Sequence, residues 1–343
     1  MNSIPVVNNK TSNNRPLVCV IGTFRSLELT HKNLIEKVIK PLNADVMFCV
    51  TRLSSDDEDN LDYFKDCNIV DVCLYEDSKQ GYEVICDSLS EKLNPKHKST
   101  WREYLTIPGN WLGGMKGKEG SGMHLTYNFW KLLQRLQYLK AKGNRYERFV
   151  ITRTDLFWLK EHPPLKLLSP SLVWIPSGQD YLGYNDRHAV CSDKNIRQYL
   201  NLLELMINLQ ARDFLNYEKE VNHEKHLKCH LDYSGVGIGR FKSLAYLTGT
   251  KTSLTNWSSV ENEVIDGKEY AYKYKAELLD ALRHSRDFDS HRDYAQMLLR
   301  PLPIKELTRL VKMKLKYKYL YAWELLQKLR GYSFESNFAR MKD

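Results

Sequence analysis

Glycine and proline are scarce in this chain of 343 residues, at 17 and 11. That scarcity excludes collagen-like repeats, long flexible linkers and low-complexity tracts. The cysteines (19, 49, 67, 73, 86, 191 and 229) form no CxxC pair and no zinc-finger spacing. No apolar run approaches the roughly 20 residues that cross a bilayer. The start, MNSIPVVNNKTSNNRP, lacks the apolar core of a signal peptide. A cytoplasmic, non-transmembrane protein with reduced thiols is the expectation. Neither GxGxxG nor a Walker loop is present, so a dinucleotide fingerprint and a P-loop ATPase are unsupported. The stretch HEKHL, from His223, misses the zinc-protease pattern HExxH because position 227 is leucine. His226 and His230 then read as exposed helix histidines. No RRM, KH, helix-turn-helix or internal repeat is found.

What is present fits a globular protein, with 42% hydrophobic and 27% charged residues. The net charge of +9 favours polyanionic partners: nucleic acid, anionic lipid, or phosphorylated glycans and nucleotides. The 21 tyrosines and 7 tryptophans suit stacking on sugars or bases as well as ordinary packing.

Residues 1–15 read as a disordered leader. Leu17–Ile21 is a buried strand, and LTHKNLIEKVIK a helix with apolar residues at three- and four-residue steps, stopped by Pro41. ADVMFCVTR and NIVDVCLYE are strands, and YEVICDSLSEKL a short helix. Strands alternating with helices predict a mostly parallel central sheet flanked by helices. The segment 94–121, rich in glycine, lysine and tryptophan, reads as a lid or acceptor loop. A strong helix follows, then the strand RFVITRTDLFWL. Beyond it come a glycine-containing loop, a helix capped by Asp193, a helix over YEKEVNHEKHLKCHL and a late strand, VGIGRF. The division expected is a leader, a catalytic domain over 16–255, and a mainly helical, basic region over 256–343.

Three places carry candidate chemistry. Arg153 and Asp155 lie two residues apart at a strand end, where alternation aims both side chains the same way. A salt bridge is the structural alternative. In open α/β sheets, however, ligands bind outside the carboxyl ends of strands, where a carboxylate suits a cation and an arginine a phosphate. Gly22-Thr23-Phe24-Arg25 after the first strand would bring backbone and a guanidinium to the same crevice. Asp180, Asn185, Asp186, Arg187 and His188 are crowded into GQDYLGYNDRHAV, more chemistry than a turn or cap requires. Glu224 is a further carboxylate. Near the C-terminus Lys305, Arg309, Lys312 and Lys316 share one helical face within 305–330, suited to an anionic membrane surface or simply solvated.

VCVIGTFRS, IKPLNADVMFCVTR, the helix running into RFVITRTDLFWL, and DYLGYNDRHAV with NHEKHLKCHL and VGIGRF together resemble bacterial surface-polysaccharide glycosyltransferases of GT-A-like fold. The resemblance spans roughly residues 16–250. It implies a nucleotide-sugar donor, with Gly22, Thr23, Arg25, Arg153 and Asp155 around nucleotide and diphosphate. It also implies a lipopolysaccharide or capsular acceptor, lipid-linked, at the cytoplasmic face of the inner membrane. For an inverting enzyme Asp186, then Glu224, then His188 are the candidates for taking the acceptor's proton, and a retaining outcome is equally compatible with the sequence. Asp180, Asn185, Arg187, Trp101 and Trp111 would serve acceptor or phosphates. Arg153 stands where the family's Asp-x-Asp has its first aspartate, so a divalent Mn or Mg ion would rest on Asp155 alone. The rival reading is a non-catalytic protein binding membrane or nucleic acid through its basic surface. The carboxylates of 178–188 oppose a nucleic-acid groove.

Overall fold

The computed structural model describes residues 15–76, 79–93, 101–109, 114–115, 121–207, 220–250 and 259–286. The leader before residue 15, Trp111, most of the 94–121 segment and the basic 305–330 segment lie outside the described residues.

Seven strands form the central sheet. They are β1 (Leu17–Thr23), β2 (Asp45–Arg52), β3 (Ile69–Glu76), β4 (Arg148–Arg153), β6 (Leu172–Ser177), β7 (His188–Ser192) and β8 (Gly237–Lys242), in the order β3-β2-β1-β4-β7-β6-β8. Only β7 runs against its neighbours, so the sheet is mostly parallel, as expected. Leu17 to Ile21 are essentially unexposed, because a central parallel strand is covered on both faces.

One face carries Cys19, Ile21, Met47 and Cys49, and packs on Phe129, Leu132, Leu133 and Leu136 of the helix Ser121–Ala141 (α4). The other carries Val18, Val20, Phe48 and Val50, under Leu27 and Leu34 of α1 (Leu27–Leu34) and Val38 of the π-helical turn that extends it. Each fully buried side chain of this size contributes roughly 1.5–3 kcal/mol. No described helix is long and apolar enough to cross a membrane.

The strand Arg148–Leu159 is not continuous. It turns at Thr154-Asp155 and resumes as β5 (Leu156–Trp158), paired with β9 (Ala245–Leu247) in a separate ribbon. Side-chain hydrogen bonds impose the break. Thr154 Oγ1 donates to the Thr23 carbonyl at 2.6 Å, and Thr30 Oγ1 of α1 reaches the Thr154 carbonyl at 2.6 Å. Asn33 then holds both backbone groups of Trp158, accepting from its N–H at 2.7 Å and donating to its carbonyl at 2.9 Å.

One helical expectation is corrected. The segment after Asp193 forms two short helices, Ile196–Leu200 (α5) and Leu202–Ile207 (α6). Asp193 is no cap, for its carboxylate takes Lys140, and the Asn195 side chain accepts from Ser192 N–H. Among the described residues after 256, a hairpin, β10 (Glu261–Ile265) and β11 (Lys268–Tyr272), precedes the helix Lys275–Arg286. Tyr272 and Leu278 pack this hairpin and helix on Tyr246 of β9.

Asn33→Ala would leave the Trp158 backbone groups unpaired in a partly buried setting. It should lower stability by about 1–3 kcal/mol, read as a shifted urea midpoint with an unchanged slope.

Candidate active site

The strand order turns back on itself at β1, with β2 on one side and β4 on the other, and this reversal opens a crevice beyond their carboxyl ends. Gly22 makes the exit from β1 at φ +96°, a backbone state that side chains rarely adopt, with open space where a Cβ would stand. Ser26, at φ 59°, completes the turn into α1.

Asp155 lies at the floor of this crevice, 1% exposed. Arg153 grips it with two hydrogen bonds, Nε to Oδ1 at 2.9 Å and Nη2 to Oδ2 at 2.7 Å. Lys273, from the end of the hairpin, adds Nζ to Oδ2 at 3.1 Å. Burial alone would raise the pKa of Asp155, but Arg153, Lys273 and Arg25 together hold it well below the usual carboxylate range. Burial lowers the pKa of Lys273 against the pull of Asp155. Arg25 is also lowered, by burial and then by the nearby Arg153. Its guanidinium makes no ion pair with any described residue. Arg25, Arg153 and Lys273 thus share one hydrogen-bonded carboxylate, with Asp186 acting on Arg153 from farther off, and the crevice carries an excess of fixed positive charge in a buried place.

The loop 178–187 borders this cluster and is strained. Gln179, Tyr181 and Leu182 have φ of 54°, 41° and 71°, costing on the order of 1–2 kcal/mol each. Gly183 is required here, since a Cβ would come within 1.9 Å of the Glu224 carbonyl. Tyr184 N–H donates to that same carbonyl at 3.0 Å. Asp180 is bound by Arg240 and accepts from Asn185 N–H, while the Asn185 side chain bonds Gly178 and Arg187 backbone. Arg187 pairs with Glu277 of the last described helix at 2.6 Å, both buried. Asp180, Asn185 and Arg187 therefore hold the loop in shape.

Asp186 does something different. Its Oδ2 lies 2.7 Å from His223 Nδ1, at the start of the helix His223–Tyr233. Burial opposes its charge, yet the His223 contact and the fields of Arg153 and Arg187 keep its pKa low. Glu224, the next residue, is pushed up to about 8 by burial and by Asp186. The crevice cluster, Asp186 and Glu224 form one electrostatic group.

His188 is placed elsewhere. It sits on the face of the sheet that carries Trp158 and Phe241, with its Nε2 3.1 Å from His162 Nε2. Burial drives its pKa far down. Trp101 is fully buried, donates Nε1–H to Asp87, and has the Arg102 guanidinium over its ring. That arrangement leaves no open face for a sugar. His226 and His230 are buried, not exposed, and burial lowers both. His226 is fixed between the Tyr104 hydroxyl and the Leu202 carbonyl.

The residues that pattern reading passed over are Lys273, Glu277 and His223. The first two lie outside the stretch that resembles a transferase, in a region without a motif. His223 stood in full view within a failed zinc pattern, and only its partner Asp186, 37 residues away, gives it meaning.

A divalent cation on Asp155 is not a fit. Both of its oxygens already accept from Arg153 or Lys273, whose charges oppose a cation, and no group of three or more His, Cys, Asp or Glu among the described residues could hold a metal.

No family model matches the chain, and no curated protein matches its sequence. Among solved structures it is similar to mouse xyloside xylosyltransferase 1 in its apo form, at 8% identity and a TM-score of 0.34, covering 65% of this chain and 83% of that one. It is also similar to the PaToxG glycosyltransferase, at 16% identity and a TM-score of 0.31, covering 65% and 68%. Likeness at this level assigns no activity.

Glu224 generates a prediction about stability. Its ordinary pKa is 4.5 and its folded value about 8. Below pH 4.5 folded and unfolded chains both hold the proton. As pH rises towards 8 the unfolded chain ionises first, so stability is lost across that window. Glu224→Gln removes the loss and should gain on the wild type by a few kcal/mol between pH 5 and pH 8, on the order set by the shift. Urea unfolding at the two pH values checks it.

Proposed function

We propose that this protein is a glycosyltransferase that moves a sugar from a nucleotide-sugar donor to a saccharide acceptor. The observation that carries the reading is the unbalanced charge of the crevice: Arg25, Arg153 and Lys273 against Asp155 and, without a hydrogen bond to them, Asp186, at the sheet's switch point. A nucleoside diphosphate is an anion suited to that place. As the glycosidic bond to the diphosphate breaks, negative charge grows on the leaving oxygen. Cations already oriented there stabilise the transition state more than the ground state.

Arg25 is the group with bonds to give, because Arg153 and Lys273 are partly committed to Asp155. Asp155 in turn holds those two cations in position and keeps them from repelling one another. In this reading side chains supply the charge that a metal supplies in Asp-x-Asp enzymes. The finer expectation, a growing lipopolysaccharide or capsular saccharide as acceptor at the cytoplasmic membrane face, is part of the proposal through the sequence resemblance.

The test is release of nucleoside diphosphate from a panel of nucleotide sugars, with calorimetric binding of the free diphosphates. One donor should be turned over at a rate unchanged by EDTA. Arg25→Ala should weaken diphosphate binding about 10- to 100-fold, the worth of one charged hydrogen-bonding partner. Wild-type affinity should fall as salt is raised. Turnover abolished by EDTA would sink the side-chain account of leaving-group charge. If no diphosphate binds at all, the transferase reading fails, and salt-sensitive binding to anionic vesicles or oligonucleotides would point to a surface-binding protein.

A further inference from the structure

Resting on the transferase reading, we propose that His223 takes the proton of the acceptor hydroxyl, with Asp186 as its positioning residue, and that the sugar is transferred with inversion. Two contacts fix the ring, and a third fixes the helix start that bears it. Asp186 Oδ2 lies 2.7 Å from Nδ1, and a carboxylate there can only accept, so the proton sits on Nδ1. Phe129 meets the ring edge-on at 5.4 Å. Asn222, the residue before it, caps the helix by accepting from Lys225 N–H and ties it to the strained loop through the Tyr181 carbonyl. In the neutral ring the remaining lone pair is therefore on Nε2.

That Nε2 is buried, and no protein group bonds it. A buried acceptor with no partner is costly, on the order of 1–3 kcal/mol, and in a native structure it calls for an explanation. A carboxylate that orients a histidine through Nδ1 and leaves Nε2 free to accept is the arrangement that proton abstraction from a hydroxyl requires.

The other candidates are less suited to that role. Glu224 holds its proton near neutral pH. His188 lies on the far face of the sheet, bonded to His162. Asp186 has spent one oxygen on His223.

The step balances as one displacement. The acceptor oxygen forms a bond to the sugar's anomeric carbon while its proton passes to Nε2. The bond from that carbon to the diphosphate breaks, and its electron pair leaves on the phosphate oxygen towards Arg25. Two-step transfer with retention needs a free carboxylate as nucleophile. Asp155 is bound by Arg153 and Lys273, Asp186 by His223, and Glu224 is protonated. Same-face displacement, which retains, lets the departing phosphate take the acceptor's proton and needs no base; a base at His223 goes with attack on the opposite face, and that inverts.

The experiment uses the full chain with the donor identified by the panel, and water as the surrogate acceptor. His223→Ala should lower kcat by about 100-fold or more, the usual worth of a general base, while diphosphate affinity stays within about threefold. Added imidazole should restore part of the loss in that variant and none in Arg25→Ala. Asp186→Asn should lower kcat and alter its pH profile. His223→Gln, checked for native circular dichroism, carries the same expectation for kcat if the alanine variant does not fold. Proton NMR of freshly released sugar should show the inverted anomer.

Three results would overturn the assignment: kcat within about threefold of wild type in both His223 variants, a retained anomer, or diphosphate affinity falling in step with kcat. Any of these with an active wild type removes His223 alone. A wild type that neither binds nor turns over nucleotide sugars removes the transferase reading, and this inference with it.

Discussion

The grip of Arg153 and Lys273 on Asp155 is the constraint on which the rest of the crevice depends. A carboxylate at 1% exposure is tolerated only when its charge is answered at hydrogen-bonding distance. Here it is answered twice, from β4 and from the end of the β10–β11 hairpin. The hydrogen bonds that end β4 at Thr154 set the carboxylate where both cations can reach it. Removing any one of these groups leaves a buried charge without its counterpart, a far larger disturbance than the loss of a surface ion pair.

That dependence explains why the chain beyond residue 256 belongs to the site. Lys273 and Glu277 come from the hairpin and the helix after it, and each meets a charge delivered by the central sheet or its loop: Asp155 in one case, Arg187 in the other. Tyr246, Tyr272 and Leu278 provide the apolar seat that holds these elements in place. Two buried ion pairs and one small core therefore fasten the last described elements of the chain to the central sheet and its loop around one crevice.

The strained loop 178–187 shows the same economy at a second level. Its backbone is held in left-handed states by Asp180 with Arg240, by Asn185, and by the close approach of Gly183 to the helix that bears His223. Strain of this kind persists only where surrounding contacts over-determine it. What the strain delivers is Asp186 beside His223, in the field of Arg153.

The fold class was legible in the sequence because a buried parallel strand has to be apolar on both faces. Leu17–Ile21, VMFCV and FVIT announce themselves without reference to any other part of the chain. Arg25, Arg153, Asp155 and Asp186 were legible too, since charge placed against a buried strand end or crowded into a short loop is costly enough to need a reason. Partnership was not legible. The pairing of Asp155 with Lys273 spans 118 residues and that of Asp186 with His223 spans 37, and no local period encodes either. The sequence by itself determined the strands, the sheet they form and the residues that place charge at its edge. Only the tertiary structure decided which charges neutralise one another, that His188 and Trp101 are enclosed, and that His223 and Lys273 join the group. Hydrophobic periodicity is a local property of a chain, whereas electrostatic compensation in a low-dielectric crevice depends on distance in space.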